Sequence, residues 1–141
     1  MKRFGSEEEI SELVRAFETA AISREEWKHA EHLAVGLYYV LHNEKETALT
    51  KMRDGIMNLL VNGFGVDTSK EMPYHETLTV FWIETIAKFA ENNATLSLLD
   101  KANLLTDTHD KDMPFRFYSK EYLFSERARK EFVESDLADR S

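Results

Sequence analysis

The chain of 141 residues carries no cysteine, which excludes disulfides, thiolate metal sites, iron–sulfur clusters and cysteine nucleophiles. A net charge of −8 repels phosphate backbones and argues against nucleic-acid binding, while an apolar share of 43% is too high for disorder. The longest mainly apolar run, Leu33 to Leu41, falls far short of the roughly 20 residues that cross a bilayer.

Glu7-Glu8-Glu9 follows the basic Met1-Lys2-Arg3 where a secretion signal would need apolar residues, so the sequence reads as one cytoplasmic domain over residues 1–141. Ser6 with Glu9 is a capping-box signal for a first helix to about Ala20, with Ile10, Leu13, Val14 and Phe17 on one face. Ser23 with Glu26 repeats the signal. It predicts a second helix from about Arg24 to His42, burying Trp27, Ala30, Leu33 or Ala34, Leu37 and Leu41.

A third helix, about Glu44 to Val61, carries Leu49, Met52, Ile56, Leu59 and Leu60, and Asn62-Gly63 with Gly65 stops it. Gly63 to Pro73 is a linker. A fourth helix follows from about Tyr74 to Glu91, striped by Leu78, Phe81, Trp82, Ile86 and Phe89, and a fifth from about Thr95 to Leu105. Thr106 to Pro114 is a polar loop, beyond which Ser119 and Ser125 each cap a short helix. The expected fold is an all-α bundle of four to five helices with an irregular C-terminal strap of short helices.

Two segments carry candidate chemistry: Trp27-Lys28-His29-Ala30-Glu31-His32-Leu33 and Tyr74-His75-Glu76-Thr77. Residues three apart on a helix are surface neighbours, so His29 and His32 share a side. If helices two, three and four run up, down and up, the second and fourth begin at the same end, bringing His75 to the other two. Three imidazoles there would suit Zn²⁺, Fe²⁺, Ni²⁺ or Mn²⁺ with positions left open. Glu26, Glu31 and Glu76 lie near, and Glu76 or Glu31 could act as base on a metal-activated water, in a hydrolase or an oxygen-using iron enzyme.

Familiar metal signatures fail. His75-Glu76-Thr77-Leu78-Thr79 has Thr where a zinc protease needs its second His, and Glu26-Trp27-Lys28-His29 is only half of a di-iron motif. Asp107 to Asp112 lacks the Gly and terminal Glu of a calcium loop.

The same residues allow two further readings. Helix N-termini with His29, His32, Lys28 and Arg116 could bind a small polar or anionic ligand, a carboxylate or phosphate, against walls of Trp27, Tyr74 and Trp82. Alternatively the histidines serve as caps and the tryptophans as core. The chain would then be a non-enzymatic interaction protein, dimerising or meeting a partner through its aromatic strap, Phe115 to Phe124. His42 suits the helix dipole, His109 an exposed loop, and Lys120, Arg127, Arg129 and Lys130 a solvated face.

Three motifs extend over most of the chain: Trp27-x-His29-x-x-His32-Leu33, Tyr74-His75-Glu76-Thr77-x-Thr79-x-Phe81-Trp82, and Tyr118-Ser119-x-x-x-Leu123-Phe124-Ser125-x-x-Ala128-Arg129. Together they resemble a group of small bacterial helical proteins described as uncharacterised. That group commonly has Pro before an Asp-Leu near the C-terminus, where this chain has Ser135-Asp136-Leu137. The resemblance implies no mechanism; it points to the same histidines and adds Tyr118 and Ser119 to the pocket.

Overall fold

The computed structural model describes residues 3–137, and all regular elements among them are helical. Helix α1 (Glu7–Glu18) opens at Ser6, whose hydroxyl accepts the Glu9 N–H at 3.2 Å, and it buries Ile10, Val14 and Phe17. It closes with Ala21 N–H on Ala16 O at 2.7 Å and Ala20 N–H on Phe17 O at 3.1 Å, the paired bonds of a Schellman turn. Ala20 sits at φ 56° there, in the left-handed region where glycine is the usual occupant.

The Ser23–Glu26 capping signal is satisfied, but it opens a single turn and no helix. Ser23 Oγ accepts Glu26 N–H at 3.2 Å, and Glu26 Oε1 takes both the N–H and the hydroxyl of Ser23. Lys28 then turns extended and α2 begins only at His29 (His29–His42). Trp27 thereby leaves the helix and stacks its ring on Phe17 at 5.0 Å and on His32 at 4.1 Å. Tertiary stacking decides this boundary over the local cap.

Helix α3 (Lys45–Asn58) continues into one π turn (Leu59–Gly63), and α4 (Glu76–Asn92) and α5 (Leu98–Thr108) follow. A 3-10 turn (Met113–Arg116) and two short helices, α6 (Lys120–Leu123) and α7 (Glu126–Lys130), form the strap. Ser97, Ser119 and Ser125 cap α5, α6 and α7 through their hydroxyls.

Helix α2 is the centre, packed on α1, α3, α4 and α5. Leu33 through Leu37 are all buried, and a helix apolar on every face belongs in the middle of a bundle. Leu41, expected in the core, is 38% exposed because the last turn of α2 lies outside it; His42 stacks on Tyr38 there and bonds the Tyr38 carbonyl at 2.8 Å. Two glycines set the helix spacing. A Cβ at Gly36 would come within 2.8 Å of Ile86 Cδ1 on α4, and one at Gly55 on α3 would overlap the Phe17 ring.

Both ends of the described chain are tied to the bundle by buried side chains. Asn103 accepts the N–H groups of Arg3 and Phe4, each at 2.8 Å, and donates to Phe4 O at 3.1 Å. Thr77 donates its hydroxyl to Glu131 O at 3.0 Å and accepts Val133 N–H at 3.1 Å. Backbone groups that would otherwise be buried unpaired are thus satisfied. Tyr118, Leu123, Ala128 and Val133 make a separate small core against Leu78 and Phe81 of α4. Most aromatics of the strap are used inside the molecule, and the exposed ones are Phe124 at 47% and Phe132 at 41%. No described helix is long and apolar enough to cross a membrane.

Candidate functional site

The starts of α2 and α4 face a cavity of about 600 Å³ that α3 and the strap close from the other sides. Leu33 and Gly36 of α2, Met52 of α3, Ile83 and Ile86 of α4, and Leu123 form an apolar floor. Trp27, Tyr74, Trp82 and Phe115 are half-buried walls, and Lys28, Pro73, Lys111, Asp112 and Phe124 are exposed at the rim. His29, His32 and His75 all line it.

The three histidines share the cavity without sharing a role. His75 caps α4: its Nδ1 accepts the Leu78 N–H at 3.2 Å and its Nε2–H donates to Leu123 O at 2.7 Å. Both ring nitrogens are committed, and burial holds the imidazole below its ordinary pKa, opposed by the Leu123 bond. His29 donates Nε2–H to the His109 carbonyl at 2.7 Å and sets its ring edge-on to Trp82, 5.1 Å away.

His32 differs. It lies over Trp27, and neither ring nitrogen has a hydrogen-bond partner among the described residues. Burial, with His29 beside it, pulls its pKa down to about 4, so the ring is neutral near pH 7. A neutral imidazole carries one donor and one acceptor, and on this lining residue neither is taken by a described group.

Among the described residues no three His, Asp or Glu side chains are arranged to hold a metal ion. The tripod expected from the topology therefore does not assemble. His75 has no free nitrogen, and His29 has spent one on a carbonyl. The carboxylates expected as bases are occupied as well. Glu31 is buried at 5% exposure, paired with Arg3 and accepting the Lys28 N–H at 3.2 Å. Glu76 takes a forked pair from Arg53 at 2.9 and 2.5 Å and the Tyr74 hydroxyl at 2.6 Å. The Arg53 bonds hold its carboxyl below the usual range, with Tyr74 helping and burial opposing, which leaves a weak base. Glu26 bonds only within its own turn, outside the cavity lining.

Of the remaining candidates, Trp27 and Tyr74 line the cavity and Arg116, Tyr118 and Ser119 do not. Arg116 is an exposed residue 3.9 Å from Asp110. Tyr118 is buried on the far side of the strap with its hydroxyl on Val133 O at 2.6 Å. Ser119 caps α6 and binds Asp136 through its N–H at 2.8 Å and its hydroxyl at 2.5 Å, while Leu137 N–H reaches Phe117 O at 3.1 Å. These residues fasten the tail. His109, expected to be exposed, closes α5 half-buried, with its ring edge-on to Phe89 and its carbonyl held by His29.

No family model, curated protein or solved structure matches the chain. The cavity's own geometry is what distinguishes the site. That geometry includes residues the sequence pattern passes over: Gly36, Thr79, Lys111 and Asp112 line the cavity, Arg53 holds Glu76, and Thr77 holds the strap. Thr77 and Thr79 sit on a helix face whose other buried members are apolar, the one local signal that the face meets backbone as well as side chains.

Proposed function

We propose that this protein binds a small, largely apolar, ring-bearing molecule in the cavity between α2, α3, α4 and the strap, with His32 hydrogen-bonding its polar group. The observation that carries the reading is His32 itself: a neutral imidazole on the cavity wall whose ring nitrogens have no hydrogen-bond partner among the described residues. A ligand group that meets this ring adds a hydrogen bond, worth on the order of 1 kcal/mol net. The cavity supports the same reading, being of ligand size, mostly apolar and furnished with few polar groups.

Both tryptophans of the chain, Trp27 and Trp82, line the cavity, so indole emission reports on its contents. Titration with a panel of ring-bearing compounds should give saturable changes in that emission. His32→Ala should weaken the best binder about tenfold, the loss of roughly one hydrogen bond. If a broad panel leaves emission and the His32 ring resonances of the folded protein unmoved, the binding reading fails.

A further inference from the structure

Resting on that reading, we infer that the ligand is an amphipathic monocarboxylate, its apolar body on the cavity floor and its carboxylate at the rim between Lys28 and Lys111. Both lysines are exposed and line the cavity, and neither has an ion-pair or hydrogen-bond partner for its ammonium among the described residues. In a chain of net charge −8, Lys28 and Lys111 are the two cations on the cavity lining.

The acidic side chains nearest in sequence to the cavity histidines are turned elsewhere. Glu31 is taken by Arg3 and Glu76 by Arg53, which leaves Asp112 as the one carboxylate on the lining. The rim therefore carries an excess of positive charge, and the floor below it carries none. A carboxylate pushed to the floor would lose its water with no counter-ion to meet it, so the charge stays at the rim and the apolar part goes in. His32, in the first turn of α2 close to Lys28, adds a donor N–H for the same head group.

The head group is a carboxylate rather than a phosphate. The lining sets Lys28 and Lys111 against Asp112, a net single positive charge that balances a monoanion and not a phosphate dianion.

The test compares 4-phenylbutanoate with 4-phenylbutanamide, near-isosteres that differ in charge, by calorimetry on the full chain at low salt. The acid should bind at least about tenfold more tightly than the amide, and the advantage should shrink as salt is added. In Lys28→Met/Lys111→Met the acid and amide should bind within about twofold of each other, with the melting temperature unchanged because both side chains are exposed. Equal affinity of acid and amide for the native chain overturns the carboxylate while leaving the pocket in place. Silence from both compounds when other panel members bind overturns it too. Silence across the whole panel removes the binding reading itself.

Discussion

His75 and Leu123 are joined by a 2.7 Å hydrogen bond from the imidazole Nε2–H to the backbone carbonyl, across 48 residues of sequence. The same ring caps α4 through Nδ1, so one side chain starts a helix and holds the strap over the cavity. His75→Ala should destabilise the protein by about 2–3 kcal/mol, a cap plus a buried bond. His75→Asn keeps a capping oxygen but is too short for Leu123, and should recover about 1 kcal/mol of that loss. Urea unfolding of the two variants measures both; equal losses would show that the cap carries nothing.

Acid should weaken the fold in a window set by His32. The folded chain keeps this ring neutral down to about pH 4, whereas an unperturbed imidazole takes its proton near 6.5. Between those values the unfolded state binds more protons. The stability it contributes is therefore fully present above about pH 6.5 and lost as pH falls through about 4, on the order of 3 kcal/mol in all. His75 and His109, also held below their ordinary values by burial, add to the loss in the same direction. Thermal unfolding of His32→Phe against the native chain from pH 7 to 4 checks it: the variant should show a shallower slope.

The two inter-helix glycines should respond differently to alanine. At Gly55 the new methyl meets the fully buried Phe17 ring, which has nowhere to go; the expected loss is about 1–3 kcal/mol despite a better helix former. At Gly36 it meets only the terminal methyl of Ile86, which can rotate, so stability should change by less than about 1 kcal/mol while the cavity shrinks. Denaturant midpoints and ligand affinity separate the two cases.

Zn²⁺, Fe²⁺, Ni²⁺ and Mn²⁺ should each fail to load stoichiometrically on tag-free protein, because His29 and His75 donate to carbonyls, which leaves only His32 uncommitted, and the nearby glutamates are held by arginines. Elemental analysis after incubation and desalting decides it. About one metal per chain, lost in both His29→Ala and His75→Ala, would restore the metal reading.

Much of the fold is legible because its signals are local. Ser6, Ser119 and Ser125 cap the helices their spacing predicts, and the helical order through α5 follows the apolar period. The exception is instructive. Ser23 and Glu26 form their box, yet the helix fails to follow, because Trp27 gains more by stacking on Phe17 and His32 than by continuing the turn. Likewise, the pattern places His29, His32 and His75 near one another, and they do line one cavity; it cannot say which carbonyl each ring meets. The partners of His29 and His75, at His109 and Leu123, lie 80 and 48 residues away along the chain.

What the sequence determined by itself is the all-α class, the caps and the apolar centre of α2, since these follow from spacing over a few residues and from the absence of competing strand or turn signals. What only the tertiary structure decided is which polar side chains remain available for chemistry. Arg3 and Arg53 neutralise the two glutamates, Leu123 and His109 occupy two histidines, and of the three cavity histidines only His32 has no hydrogen bond to its ring from a described residue. A hydrogen bond or ion pair depends on atoms brought within about 3 Å by long-range packing, and no periodicity along one chain encodes that distance.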